Sequence, residues 1–537
     1  MDLEKFIDKG EIEVSKKTLL HISEGIYRTE GSALKELINN SFDANANKVI
    51  INTNYPQFDI LTIQDDGDGM TENEFLRIVK GGIGDSPKAS SKNNKRPIIG
   101  RLGIGILSVA QICRSFTIIS HCEKSKTAFR GKMIFRTDVD EVAKKENKES
   151  YDIGKWQLEE KINYDKEKKG VLIFTKDLRQ SFLKRFRENS AIINHTKNTT
   201  PVNYDHLIEL YYNNNYKMVK EQGPYYELIW ELCNLLPLPY LNKTPLREKL
   251  GNKLVLYNKR DQKIRYESAV DFISKKNEEL ISYNFSVIFD DIKLFRPIKL
   301  PYPILNNSGS TQEVQLFYFE YDNIVRKRRL KCYGYFFAQE MAIKPRDLKG
   351  IQIRIKNVGI GVHDATFMKY GKIEAPRDNW LTGEIYVEEG LESALNIDRD
   401  SFNENDEHYY ILKEQIHKYL SEIVFPTISS FQRKRNIAKR EINKENYLTY
   451  YKSNLNRTLK KYFIKFEFLY KTINNFEIDK KKKILIIPSE LITTNSDFKM
   501  EIFSKSAITL LDFLRVELKN PEDIENAFKE ISKVILS

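Results

Sequence analysis

The chain has 537 residues, of which 41% are hydrophobic, and its formal net charge is +12. This length fits about three domains of roughly 150 residues. Four dispersed cysteines and seven histidines show no ligand-type spacing, which argues against a disulfide framework and structural zinc. The amino terminus is charged where a signal peptide is apolar, and no apolar run reaches membrane-spanning length. We therefore expect a cytoplasmic protein without a membrane partner.

The positive charge is compatible with nucleic acid as a partner, because clustered lysine and arginine release counterions from phosphate backbones. The basic runs are widely separated, however, and lysine, asparagine, isoleucine and tyrosine are abundant along the whole length. Isolated basic runs are usually solvated surface. Charge alone therefore does not assign a nucleic-acid partner.

Residues 32–44 are predicted to form a helix with Ser32 as a candidate cap. Positions i, i+4 and i+7 of a helix lie within about 60° of one another, so Glu36, Asn40 and Asp43 share a face. Glu36 can polarise a water, and the amide oxygen of Asn40 can ligate Mg²⁺, with Asp43 as support one turn later. The alternative is an amphipathic helix whose polar face happens to carry these residues.

Two β-branched runs, 49–52 and 60–64, predict a hairpin that ends in the turn DDGDGM. At the end of the second strand, Asp65 can accept a hydrogen bond from an adenine amino group. Gly67 and Gly69 allow the backbone to approach the base closely. An ordinary β-turn is the alternative; a calcium loop is disfavoured, because the glutamate that it requires is not in position.

Residues 81–97 have no periodicity and are predicted to form a mobile loop that closes over a nucleotide. Lys88 in this loop either contacts phosphate or is solvated. The motif that follows contains Gly100, Gly103 and Gly105 and precedes a predicted helix, so its backbone N–H groups and the helix dipole suit a triphosphate. Its spacing matches neither the dinucleotide-binding fingerprint nor the phosphate loop.

Beyond this motif, further strands are predicted at 115–120, 170–175, 316–321, 330–337 and 351–355, with a helix at 409–420. The predicted fold class is α/β, with strands and helices in an α+β sandwich. The predicted organisation is a nucleotide-binding domain at 1–185, a connection at 186–225, an α/β middle domain at 226–425 and a helical carboxy-terminal region at 426–537.

Together these motifs resemble the GHKL superfamily, whose ATP-binding Bergerat fold is shared by the ninety-kilodalton heat-shock chaperones, gyrase, MutL-type mismatch-repair proteins and MORC ATPases. The resemblance implies ATP and Mg²⁺ as cofactors. It also implies a role for each matching position: Glu36 as general base, Asn40 as magnesium ligand, Asp65 as the adenine-binding aspartate, Gly100, Gly103 and Gly105 as the lid hinge, with Asp43 and Met70 also matching.

Features of two branches are present. The stretch IGRLGIGILSVAQICRSFTIIS is most similar to the chaperones, whereas DDGDGM and the short interval between Glu36 and Asp65 are closer to MutL and MORC proteins. The chain departs from the family at Val171, which follows Gly170 where the family usually has threonine near the adenine. It is also basic, whereas the chaperones are acidic.

The segment LNIDRDSF, at 395–402, is similar to the chaperone segment that supplies an arginine to the γ-phosphate. Arg399 occupies that place here. A guanidinium that arrives from another domain can neutralise charge during phosphoryl transfer and couple domain closure to hydrolysis. The alternative is a structural salt bridge from Arg399 to Asp398 or Asp400.

The first expectation is therefore a Mg²⁺-dependent ATPase clamp that closes its lid and forms a homodimer on ATP binding and acts on a protein client or partner subunit. A second is a DNA-associated ATPase of the MutL or MORC type within a bacterial anti-phage defence system. A third is a scaffold that senses ATP without hydrolysing it.

Overall fold

The structure, a computed structural model, divides into two compact units, Met1–Ser429 and Ser430–Ser537. Among the described residues, no helix is both long and apolar enough to cross a bilayer. The described residues are 8–15, 29–80, 96–100, 105–136, 150–187, 204–212, 219–241, 244–246, 256–257, 263–264, 266–301, 312–371, 379–396, 399–438, 467–471, 477–479, 484–488, 496–536 and single residues at 449, 453, 457, 461 and 481.

Strands and helices are mixed along the first unit, as in the predicted α/β fold class, which is confirmed. Its strands are β1 (Asp8–Ser15), β2 (Lys48–Asn52), β3 (Leu61–Asp65), β4 (Cys113–Cys122), β5 (Thr127–Phe135), β6 (Ser150–Ile162), β7 (Gly170–Leu178), β8 (Leu256–Tyr257), β9 (Lys263–Ile264), β10 (Ser286–Phe289), β11 (Ile292–Lys293), β12 (Val314–Val325), β13 (Arg328–Gln339), β14 (Gly350–Ile355), β15 (Val358–Asp364) and β16 (Leu381–Glu389). Its α-helices are α1 (Glu30–Asp43), α2 (Glu72–Val79), α3 (Gln180–Arg187), α4 (Tyr204–Tyr212), α5 (Pro224–Leu235), α6 (Tyr266–Ser282) and α7 (Glu407–Tyr419).

The larger sheet has nine strands in the order β1-β6-β5-β4-β7-β3-β2-β10-β11. Neighbouring strands are antiparallel except β10, which runs parallel to β2 and pairs Ser286 with Lys48. The predicted middle region thus contributes two strands to the edge of the amino-terminal sheet. The predicted domain boundaries at 185 and 225 stay predictions, but the regions that they separate share one sheet.

Helix α1 lies over this sheet and carries the predicted catalytic face. Its apolar residues Leu34, Leu37, Ile38 and Phe42 are all buried, and burial of each such side chain contributes about 1.5–3 kcal/mol. The helix begins earlier than predicted. Its cap is not Ser32 but Thr29, whose hydroxyl accepts the backbone N–H of Ser32 at 3.0 Å.

The predicted hairpin is present as β2 and β3, which pair antiparallel. After the glycine motif, however, the predicted apolar helix is a 3-10 helix at Gly105–Gln111. The Ser108 hydroxyl in this segment donates to the carbonyl of Ala33 on α1, at 2.9 Å. The next strand begins at Cys113, so the segment is too short for more than one or two turns, and contact with α1 sets its path.

A second sheet in the first unit has the order β12-β13-β16-β14-β15. The predicted strands 316–321, 330–337 and 351–355 lie within β12, β13 and β14 and are confirmed. Strands β14 and β15 are joined by a tight turn at Lys356 and Asn357, both with positive φ. Asparagine favours this conformation, which suits a two-residue hairpin.

The second unit is not purely helical, so the predicted helical region is wrong in part. Its described residues contain two long helices and a three-stranded sheet in which Ile484–Pro488 lies between Glu467–Lys471 and Glu477–Asp479. The apolar, β-branched run ILIIP favours a buried strand over a helix, and it forms the central strand. The elements are β17 (Glu467–Lys471), β18 (Glu477–Asp479), β19 (Ile484–Pro488), α8 (Ser496–Glu517) and α9 (Pro521–Leu536).

Candidate active site

The polar face of α1 is buried within the fold, which disfavours a simply solvated amphipathic helix. Glu36 is only 5% exposed, Asp43 is buried and Asn40 is half-buried. A buried carboxylate is costly unless it is paired or hydrogen-bonded. The neighbours of these side chains therefore indicate what each one does.

Asp65 ends β3 in a buried position, as predicted. Its Oδ2 accepts from the Ser41 hydroxyl at 2.8 Å, and its Oδ1 accepts from the backbone N–H groups of Gly67 at 2.9 Å and Val171 at 3.2 Å. Burial raises the pKa of Asp65, and these hydrogen bonds counteract part of the rise. A carboxylate has about four acceptor sites, so one remains for a ligand donor. At the position where the family usually has threonine, Val171 contributes its backbone N–H to the aspartate.

The turn after Asp65 is held by close backbone packing. A Cβ on Gly67 would lie 2.7 Å from the carbonyl oxygen of Ala44, and Gly69 has φ +73° beside the backbone of His121. Met70 packs against the core, and its N–H donates to the Ser120 hydroxyl at 2.7 Å. Both glycines are therefore required by the fold of the turn, whatever they contribute to a ligand.

Asp43 fixes the start of the glycine motif. Its Oδ1 accepts the N–H of Ile99 at 2.8 Å and its Oδ2 the N–H of Gly100 at 2.6 Å. A Cβ on Gly100 would lie 2.9 Å from Oδ2 of Asp43 and 3.7 Å from Oδ1 of Asn40, so this glycine lies beside both side chains. Asp43 thus positions the backbone of the loop. The sequence had predicted instead that Asp43 helps to bind the cofactor.

Of the other residues in the predicted glycine hinge and loop, the structure describes only some. Gly105 begins the 3-10 helix. Lys88 and Gly103 lie outside the described residues, so their predicted contacts stay predictions. The anchored segment 96–100 is therefore the described part of the predicted lid region.

Arg399 reaches this site from the loop that follows the second sheet. Its guanidinium lies 3.6 Å from Oε2 of Glu36 and donates to the carbonyl of Ile99. Of the two alternative partners, Asp398 lies outside the described residues and Asp400 pairs with the buried Lys35 on α1. Arg399 thus lies beside the candidate general base, and Asp400 pairs with Lys35. The predicted contact of Arg399 with a γ-phosphate stays a prediction.

Lys356 is a second cation that the sequence analysis missed. Its Nζ, at the tip of the β14–β15 turn, donates to the carbonyl of Ile98 at 2.7 Å. No local pattern marks this lysine, because a Lys-Asn turn is an ordinary hairpin signal. Consecutive carbonyls before Gly100 are therefore held by Lys356 and Arg399.

A buried charge network fixes that turn from behind. Nε of Arg354 donates to Glu384 at 2.6 Å, and Arg296 donates to the carbonyl of Asn357 at 3.2 Å. Burial alone would raise the pKa of Glu384, but Arg354, Arg296 and the hydroxyls of Tyr240 and Tyr335 lower it to about 2. The network holds the hairpin tip that presents Lys356.

A cavity of about 280 Å³ lies where α1 meets the second sheet. Its polar lining includes Glu36, Arg399 and the buried amide of Asn39. Apolar side chains of the second sheet form another part of the cavity wall. The described residues that line it are Lys35, Glu36, Asn39, Ile99, Ile355, Lys356, Val358, Ile360, Glu392, Leu395, Asn396 and Arg399.

The donor set fits a weakly protein-bound magnesium ion. No group of three or more His, Cys, Asp or Glu side chains in the described parts of the chain could hold a metal. Asn40 offers one amide oxygen beside Gly100. Mg²⁺ in nucleotide sites is usually bound through one or two protein oxygens, phosphates and water, so a single amide oxygen such as that of Asn40 would fit such an ion.

The amino-terminal part of the chain is similar to known proteins. Residues 27–170 match the model of the family described as "Histidine kinase-, DNA gyrase B-, and HSP90-like ATPase". A protein of Herpetosiphon aurantiacus named "Putative type II restriction enzyme HgiDII" is 36% identical over 120 residues, which cover 21% of this chain. The same match covers 18% of that protein's length, so most of each protein lies outside the similarity.

Proposed function

We propose that this protein, whose residues 27–170 form an ATP-binding domain of the GHKL superfamily, is a Mg²⁺-dependent ATPase. It couples hydrolysis to contact between α1 and the loop that follows β16 of the second sheet. One observation carries the proposal: Arg399 lies 3.6 Å from Glu36 on α1. A guanidinium next to a candidate general base suits a reaction in which negative charge accumulates on a phosphoryl group.

Each residue then has a role with a physical basis. Asp65 accepts the adenine amino group through its remaining acceptor site. Glu36 takes a proton from the attacking water, and Arg399 balances charge on the γ-phosphate. Asn40 would hold Mg²⁺, which when bound supplies positive charge to the phosphates.

Binding energy would be used to order the lid and join two protomers. The segment 96–100 links α1 to the second sheet through Asp43, Lys356 and Arg399. A phosphate next to Lys356 and Arg399 would compete with the carbonyls to which these two side chains donate. ATP binding would therefore reposition the segment 96–100. Turnover limited by such ordering is expected to be slow and sensitive to dimerisation.

For the partner, we propose DNA within an anti-phage defence system. The similarity to a protein named as a restriction enzyme and the net charge of +12 support this choice. The resemblance of 395–402 to a chaperone segment supports a protein client as the second candidate. Salt-dependent binding of duplex DNA would distinguish the two, because phosphate contacts release counterions.

The test measures phosphate release and ATP-dependent dimerisation of the parent, Glu36→Ala and Arg399→Ala, each with and without duplex DNA at two salt concentrations. We expect both variants to bind ATP and lose turnover, and DNA to stimulate the parent at low salt. Normal turnover by Glu36→Ala contradicts the assignment of the base. ATP binding by the parent without turnover favours the sensing scaffold, and indifference to DNA favours a protein client.

A further inference from the structure

Asn39 is a buried residue whose side-chain amide has no role in the mechanism proposed above. It is 2% exposed and lies three residues after Glu36, so the two side chains project from neighbouring positions on α1. Among the described residues, neither Oδ1 nor Nδ2 of Asn39 has a hydrogen-bond partner, and the same holds for Oε1 of Glu36. Buried side-chain polar atoms are mostly hydrogen-bonded, to protein or to ordered water.

Both side chains line the cavity of about 280 Å³. A water occupies about 30 Å³ in the liquid, so several waters fit. An apolar cavity stays dry, but this one has an amide and a carboxylate on one wall and Arg399 on another. Water is the ligand that satisfies these atoms, because it both donates to Glu36 and bonds either end of the amide.

We propose that Asn39 is a positioning residue that, with Glu36, holds the water used in hydrolysis. This inference rests on the proposed ATPase function. The water oxygen forms a bond to the γ-phosphorus while the bond from that phosphorus to the bridging oxygen of ADP breaks. The water proton passes to Glu36, and the products are ADP and inorganic phosphate.

A purely structural role for Asn39 is disfavoured by its surroundings. A buried amide without a protein partner costs stability, whereas an apolar side chain of similar size would not. Asn40, which follows it, lies beside Gly100 and is the candidate magnesium ligand. The two asparagines therefore have separate roles, Asn40 toward the glycine motif and Asn39 toward the cavity.

The test compares Asn39→Leu with the parent in steady-state ATP hydrolysis and thermal unfolding. We expect kcat to fall at least ~10-fold, with KM and ATP affinity changed less than about 2-fold and Tm unchanged or raised. Asn39→Ser, which leaves space for a water and supplies a hydroxyl that can donate to it or accept from it, should recover part of kcat. Asn234→Leu is the matched control, because Asn234 is a buried helical asparagine that does not line the cavity.

The experiment distinguishes failure of the role proposed for Asn39 from failure of the proposed ATPase function. If Glu36→Gln abolishes turnover but Asn39→Leu matches the parent, the role of Asn39 is wrong and the ATPase proposal stands. A lower Tm with unchanged kcat indicates a structural asparagine and also overturns the inference. If the parent has no turnover, both proposals fail. A crystal structure with a non-hydrolysable ATP analogue gives a second criterion: no water bonded to Asn39 and Glu36 refutes the assignment.

Discussion

Arg399 lies 3.6 Å from Glu36, although Glu36 is on helix α1 and Arg399 is in the loop that follows β16 of the second sheet. The same guanidinium holds the carbonyl of Ile99, one residue before the glycine motif begins. A single side chain thus contacts both the candidate base and the loop that precedes the candidate phosphate site. Changes at either end should therefore be transmitted to the other.

Replacing Arg399 should reduce catalysis more than binding. We expect Arg399→Ala to lower kcat by at least ~100-fold, because arginines that reach a transferring phosphoryl group contribute about 10³–10⁵ in rate. Arg399→Lys should recover little, because a lysine cannot contact Glu36 and the Ile99 carbonyl in the same fork geometry. Phosphate release is measured for the parent and the Arg399 variants. The control is Arg328→Ala, because Arg328 is an exposed arginine that donates to Ser393. Equal kcat values for parent and Arg399→Ala would remove the arginine from the mechanism.

Asp65 should control nucleotide affinity. Asp65→Asn replaces one carboxylate oxygen, an acceptor, with an NH2 group, a donor. It thereby weakens the hydrogen bonds from Ser41, Gly67 and Val171. We expect ATP affinity to fall at least ~10-fold, because a site built to bond a polar group discriminates strongly when that bond is lost. Calorimetric titration measures the effect. Asp68→Asn, in the same turn but paired with Asn45 and Lys124, is the control, and equal losses would point to general damage of the turn.

Asp43 should hold the segment before the glycine motif. In Asp43→Ala, the N–H groups of Ile99 and Gly100 lose their acceptor, and hydrogen bonds to charged groups are worth about 1.5–3 kcal/mol. Hydrogen exchange at these two amides should accelerate at least ~10-fold, and ATP affinity should fall. The control is Asp66→Ala, since Asp66 bonds the N–H groups of Asn47 and Lys48 in the same way. Unchanged exchange at Ile99 and Gly100 would contradict the anchoring role.

Glu231, which accepts from the Thr29 hydroxyl at the start of α1, should make the stability of the protein depend on pH. Burial raises its pKa to about 7, against a lowering effect from the Thr29 hydroxyl; Asp400 and Glu227 raise it further, and Lys35 lowers it. The folded protein therefore binds this proton more tightly than the unfolded chain does. The resulting stability is fully present below the unfolded pKa of 4.5 and is lost as pH rises through about 7.

Thermal unfolding at pH 5.5 and pH 8.0 tests this linkage. The parent should lose more stability between these values than Glu231→Gln, which has no proton to lose. Glu227→Gln, on the same helix and half-exposed beside Arg185, should retain most of the parental difference. If the parent and Glu231→Gln respond equally to pH, Glu231 ionises in the folded state as it does in the unfolded one.

The sequence by itself determined the local elements and the identity of the main motifs. Periodicity predicted α1, β2 and β3, and helical spacing placed Glu36, Asn40 and Asp43 on one face, because such patterns depend on nearby residues. The prediction failed in two places. The short segment Gly105–Gln111 is a 3-10 helix because contact with α1 sets its path, and the carboxy-terminal unit contains a sheet because the β-branched run ILIIP forms a strand rather than part of a helix.

Only the tertiary structure decided which distant side chains meet. In the structure, Asp43 accepts from the backbone N–H groups of Ile99 and Gly100. Lys35 forms an ion pair with Asp400, and Lys356 donates to the carbonyl of Ile98. The structure also places Asn39 on the wall of a cavity. Such contacts depend on how two sheets pack, and side-chain spacing along one element carries no information about the element that packs against it.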